Sequence, residues 1–404
     1  MVGDDVSPAL AALLDPELRD WLDLVLRWLH VVAAMVWIGT SFYFVALESH
    51  LRPAARPGAP AEAWEIHGGG FYRVEKHVPA PPELPEELVW FRWEAYGTWL
   101  SGFALFVVLY WLDAETYLLA GEGGSLGAGE AVAVSAALLV LGWLVYDGLC
   151  RFLRGHELWL AAAGAAVVAA TAYALSESFS GRAVWIQTGA ILGTLMVANV
   201  LLVIIPAHRE LVRAKRAGHA PDPAPGLEAR RRSVHNNYLT LPVVLAMLGP
   251  HFPFAAGHQR GWLILVALMA IGAWTRHFFN LRHAGRSVWA IPVAAALATV
   301  VLAATVASRE RARDEGARAD FATARSIVER RCTPCHSTAP SRPGFGTAPG
   351  GVAFDTGAQI VAQAAAIERQ AVASRAMPLG NATGMTDEER AQLGAWIDAG
   401  APSR

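Results

Sequence analysis

Eight apolar runs, each near the ~20 residues that a helix needs to cross the hydrocarbon of a bilayer, recur along this 404-residue chain. They cover roughly 24–47, 94–113, 131–150, 157–175, 184–206, 237–252, 261–280 and 287–307. In hydrocarbon every backbone N–H and C=O must be satisfied within its own segment, so such runs are expected as packed helices. Apolar residues make up 54% of the chain and charged ones 17%, too greasy a balance for a soluble globule. Fifteen Trp suit interfacial aromatic belts, and a formal charge of −2 gives no sign of a nucleic-acid partner.

Lys and Arg in the loops set the expected orientation. With eight spans, the N-terminus and the C-terminal tail share one side. Loops 1–20, 114–129, 176–183 and 251–260 on that side hold three basic residues, Arg19, Arg182 and Arg260. The opposite loops, 48–92, 151–156, 207–236 and 281–286, hold sixteen, among them the run Arg230-Arg231-Arg232. The bias puts both termini outside the cytoplasm. An acidic N-terminal segment and a long first run argue against a cleaved signal peptide, so the first helix is expected to act as an uncleaved anchor.

The chain therefore divides into a short outer segment, 1–20, a membrane block, 21–307, a charged linker, 308–324, and a polar tail, 325–404. The tail carries "CTPCH": Cys332, Cys335 and, adjacent, His336. C-x-x-C-H is the attachment signal for c-type haem, in which two thiols bond the porphyrin and the histidine meets the iron. A structural zinc site needs two further ligands, and no Cys or His follows His336. The lone Cys150 reads as a small hydrophobe. Thr386 and Glu389 form a capping box opening a closing helix with Leu393, Trp396 and Ile397 on one face. Two terminal helices crossing around a haem resemble the class I cytochrome c plan. In that plan the sixth ligand is a methionine: Met377, followed by Pro378, with Met385 as the runner-up. Iron is then held by His336 and Met377. The expected fold is all-α, an eight-helix transmembrane bundle followed by a class I cytochrome c domain.

Eight helices exceed what tethering an electron carrier requires, so polar residues within the block mark a site. His30 lies in the first run. "WEIHGGGFYRVEKH" holds His67 and Arg73 beside three glycines, which permit close backbone approach to a ligand. "RRRSVHNNYLTLPVV" holds His235, Asn236 and Asn237, whose carboxamides suit the edge of a heterocycle. "WTRHFFNLRH" holds Arg276, His277, Asn280 and His283.

Taken together, "RWLHVVAAMVWIGTSFYFVALE", "IHGGGFYRVEK", "WEAYGTWLSGFAL", "SVHNNYLTLPVV" and the CTPCH tail with "MPLGNATGMTDEER" resemble the membrane-bound cytochrome c urate oxidases, or urate hydroxylases, of bacterial purine breakdown. The likeness spans nearly the whole chain. It implies oxidation of urate to 5-hydroxyisourate, with electrons passed to the fused cytochrome and on to a downstream cytochrome or terminal oxidase, without peroxide. Arg73, Arg276, Asn236 and Asn237 are the expected donors to the urate anion. His235 or His67 is the expected base, and His277 could serve an inner site. These polar clusters lie mainly on the cytoplasmic side, ~30 Å of bilayer away from the tail. A haem b held by His30 and His251 would bridge that gap. The competing readings are a quinol-oxidising membrane cytochrome and a membrane-tethered electron carrier.

Overall fold

The computed structural model describes residues 16–52, 60–120, 126–314, 319–342 and 345–403. Most of the N-terminal segment and positions 315–318 of the linker lie outside these described residues. The chain is mostly helical, and each of the eight apolar runs falls on a helix: α1 Pro16–His50, α2 Trp93–Phe106, α3 Ala128–Phe152, α4 Glu157–Ser176, α5 Gly181–Arg216, α6 Pro223–Leu248, α7 Gly261–His283 and α8 Ala290–Asp314. Five of them (α1, α3, α4, α5 and α7) are long and apolar enough to cross a membrane.

Two helices depart from their expected bounds for local reasons. Helix α6 starts well before its apolar run, because Asp222 caps it by accepting from the Ala224 N–H at 2.9 Å and Pro223 occupies the first turn. The arginine run 230–232 therefore belongs to a helix and not to a loop. Helix α5 continues past its apolar run to Arg216, and within the run it holds a π-helical turn, Val200–Ile204, just before Pro206. A proline ring clashes with the carbonyl four residues back, and the widened turn relieves that clash.

The loop between α1 and α2 corrects the all-helical expectation. Strands β1 Ala61–His67 and β2 Gly70–Lys76 pair antiparallel, with His67 opposite Gly70. Gly68 and Gly69 both take positive φ, +58° and +83°, as a two-residue hairpin turn matching the strand twist requires. The glycines of "HGGG" serve this turn. The hairpin sits at the end of the bundle where Glu48 of α1 meets Lys76 at 2.7 Å and Arg230 at 3.0 Å.

The bundle core is built from Trp185, Leu192, Leu195 and Met196 of α5, Val243 and Ala246 of α6, and Leu265 and Met269 of α7. At its far end sits the tail. Helices α9 Phe321–Arg331 and α10 Asp387–Asp398 bury Ile327, Val328, Leu393 and Trp396, and the Phe321 and Trp396 rings lie 6.0 Å apart. The expected capping box is present: Thr386 Oγ1 accepts from the Glu389 N–H at 3.1 Å, and Glu389 accepts from the Thr386 N–H at 2.8 Å. Tail and bundle meet closely at Gly380. Its φ is +61°, and a Cβ there would lie 3.1 Å from the Thr116 carbonyl oxygen.

Candidate functional site

On α7, Arg276, Asn280 and His283 are spaced four and three residues apart, so they share one face of the helix. That face is polar in a helix that is mostly apolar. Arg276 is only 3% exposed, and its Nε donates to Asn237 Oδ1 on α6 at 3.0 Å. Its guanidinium lies over the Phe42 ring of α1, 3.8 Å from the centroid. No carboxylate pairs with it among the described residues. Arg276 Nη2, Asn237 Nδ2, Asn280 Oδ1 and His283 Nδ1 are all buried without a hydrogen-bond partner. Native proteins satisfy nearly all such atoms. Four orphans on adjoining helix faces, one of them on a buried cation, make this stripe the candidate site. The His283 ring, with His50 of α1 at 6.5 Å, stands at the hairpin end of this stripe.

A second polar cluster lies on other faces of α6 and is internally complete. Buried Arg232 donates to Asp147 at 2.5 Å, to Glu228 at 2.9 Å and to Asn199 at 3.2 Å, and stacks on Tyr146. Asn199 donates to both Asn236 Oδ1 and the Tyr146 hydroxyl. The remaining amide group of Asn236 donates to the Met196 carbonyl at 2.9 Å. His235 Nε2 donates to the Glu157 carboxylate at 3.1 Å, and Nδ1 accepts from the Tyr146 hydroxyl at 2.7 Å. Cys150 Sγ lies 3.9 Å from the same Nδ1. Burial pushes the Glu228 carboxyl up, but Arg231 and Arg232 outweigh it and hold the group down at about 2. A cluster with its hydrogen bonds satisfied pins α3, α5 and α6 together and has little left to offer a ligand.

In the tail, the backbone N–H groups of Cys335 and His336 both bond the Cys332 carbonyl, turning the motif tightly off the end of α9. His336 Nδ1 donates to the Val352 carbonyl at 3.0 Å, which leaves Nε2 with its lone pair free, the state an iron ligand requires. Both cysteines are free thiols. Apolar burial pushes the Cys332 thiol up to about 12. Met377 and Met385 both adjoin the tail core. The chemistry of Cys332, Cys335 and His336 fits a covalently attached haem.

A family model described as urate oxidase N-terminal matches residues 16–307, more than half of the chain. The chain belongs to the urate oxidase N-terminal family. No curated protein and no solved structure matches it. The matched region contains the whole helical block and both polar clusters but ends before the CTPCH tail.

Within this urate oxidase domain the residues singled out in the sequence scatter. Arg276 and Asn237 come together. Asn236 and His235 belong to the closed cluster; His235 and Asn237 are two residues apart on a helix and so point in nearly opposite directions. His67 is exposed at the hairpin turn, and Arg73 is an exposed partner of Glu62 and Glu75, because β pairing carries both away from the bundle. His277 is exposed against Tyr238, its Nδ1 2.7 Å from the hydroxyl, since it follows Arg276 by one residue and turns off that face. The His30 Nδ1 donates to the Thr98 carbonyl at 2.9 Å, with its ring packed on Gly102, whereas His251 is exposed in a 3-10 turn after α6. No hydrogen bond or ring contact joins that pair. Asn280 and His283, and not His277, share the helix face of Arg276. Their i, i+4, i+7 spacing from Arg276 was the available signal.

Proposed function

We propose that the chain is a membrane-bound, cytochrome c-linked urate oxidase, with both termini outside the cytoplasm and the eight helices embedded as a transmembrane bundle. The observation that carries the reading is the buried Arg276 guanidinium, with no carboxylate partner among the described residues, in line with the orphan groups of Asn237, Asn280 and His283. Urate is a flat anion at neutral pH with alternating N–H and C=O edges. The Arg276 Nη2 and Asn237 Nδ2 donors suit its carbonyls and delocalised charge. The Asn280 Oδ1 acceptor suits a ring N–H. Phe42, already under the guanidinium, closes one wall.

The overall change is urate plus water to 5-hydroxyisourate, two protons and two electrons. His283 accepts a proton at Nδ1 as electrons leave the ring; imidazole titrates near neutral pH and is suited to that role. The half-exposed end of the stripe gives the proton a way out to the hairpin side. Haem c, when bound in the tail, supplies a one-electron acceptor that passes reducing equivalents to a downstream cytochrome or terminal oxidase. His336 and Met377 would hold its iron, and Cys332 and Cys335 its porphyrin.

The test is optical. The detergent-solubilised holoprotein, kept free of oxygen, is mixed with urate while the visible spectrum is recorded. Prompt growth of reduced c-type bands, abolished by Arg276→Met, supports the reading, and an additional b-type band would place a second haem in the bundle. Reduction by a quinol with no response to urate would overturn it.

A further inference from the structure

The loop carrying Met377 is also the loop that touches the bundle. Gly380 rests on the Thr116 carbonyl, and Arg375 reaches Gly257, whose added Cβ would lie 3.8 Å from the Arg375 side chain. A cleft between the two parts is lined by Ser180, Arg182 and His258 from the bundle and by Arg375, Asn381 and Arg390 from the tail. Gly380 combines positive φ with this close approach, so a side chain there meets both strain and a clash.

The first turns of α10 hold that loop from behind. Asp387 accepts from Arg375 at 2.6 Å. Arg390, 5% exposed, donates from one nitrogen to the carbonyls of Ala371 and Met377, the latter at 2.7 Å, and from the other to Asn381 Oδ1 at 3.4 Å. One buried guanidinium therefore fastens the loop before, at and after Met377. Its planar fork can meet several acceptors at once, which a lysine ammonium on a flexible stem does not reproduce. On the other side of the tail, His336 is fastened independently through Val352.

We propose that Arg390 is the positioning residue for Met377 and that the loop it fastens, 371–381, is the face through which the bundle delivers electrons to the tail. The inference rests on the haem c reading above. It adds that the methionine side, and not the histidine side, faces the electron donor. Docking and axial ligation then share one loop and are separable by substitution. Arg390 acts on the ligand. Gly380 acts on the contact.

The experiment uses the holoprotein and three readouts: covalent haem content, the near-red absorption band of a methionine–ferric iron bond with its midpoint potential, and the rate of haem reduction by urate. Arg390→Leu is expected to keep covalent haem while losing the band and lowering the potential. Arg390→Lys and Asn381→Ala, milder changes that keep the core filled, are expected to weaken the band in the same direction. Gly380→Val is expected to leave band and potential unchanged while slowing urate-driven reduction by roughly tenfold or more, since small misplacements of reacting partners are costly. A normal band and potential in both Arg390 variants, or a wild-type reduction rate in Gly380→Val, would overturn the proposal. A wild-type protein without covalent haem would instead sink the earlier reading. A band that survives in Met377→Leu and disappears in Met385→Leu would move the ligand to Met385 and also overturn it.

Discussion

Arg276 donates its Nε–H to Asn237 Oδ1 at 3.0 Å across the contact of α6 with α7, and each residue keeps a second buried donor unused. A buried cation with no counter-charge among the described residues costs stability, and the proposed urate anion would offset that cost. Arg276→Met, which fills similar space without charge, is expected to leave thermal stability unchanged or raise it by about 1 kcal/mol. The same change should weaken urate binding by roughly a hundredfold, the scale of a charge-assisted pair. Thermal unfolding in detergent and calorimetric titration with urate measure the two effects; a strongly destabilised variant would count against the site.

His283 and His277 separate on rate. His283→Gln should lower kcat by roughly a hundredfold or more, as loss of a general base does, while His277→Gln should leave kcat nearly unchanged. Anaerobic single-turnover reduction by urate reads both. Equal effects would mean that the polar stripe on α7 is not the working face.

The closed cluster should behave as structure. Asp147→Asn removes the shortest partner of buried Arg232 and should cost about 3 kcal/mol of stability, as breaking a buried ion pair does. Urate affinity should be unchanged. Thermal unfolding checks the first expectation and calorimetry the second.

Glu228 sets an acid limit. Its folded pKa of about 2 lies below the ordinary value of 4.5, so its contribution is fully present above pH 4.5 and is lost as pH falls toward 2. Partial exposure screens the pair with Arg231 and Arg232, and the contribution is on the order of 2 kcal/mol. Unfolding midpoints measured across that window should fall with pH in the native protein and less steeply in Glu228→Gln.

The helices were legible because apolar runs without charges admit little else, and Thr386 with Glu389 announced the start of α10 from residue types alone. The start of α6 was missed: three arginines look like a loop unless Asp222-Pro223 is read as a cap followed by a first turn. The hairpin was available in Gly68-Gly69 between residues of high strand propensity, but the same glycines also fit close ligand approach. Which of Asn236 and Asn237 faces a site depends on the rotation of α6 about its axis, and tertiary packing alone sets that. Asn199, one of a few polar residues in an apolar run, gave no hint that it joins Asn236, Tyr146 and Arg232. The candidate site was half visible: Arg276 and Asn237 from their chemistry, His283 only once the face of α7 was fixed.

Along α7, about 22 Å of helix separates Arg276 from Gly261, where the tail docks, at 1.5 Å per residue. In the proposed orientation, electrons leave urate near the cytoplasmic end and reach the tail outside, while the protons stay inside. Negative charge moving outward runs down the electrical gradient of a cell that is negative within, a drive of about 2.3 kcal/mol per charge for each 100 mV crossed in full. Purine oxidation by this protein would thus be voltage-assisted. It would draw down the membrane potential as it runs and slow when that potential is collapsed.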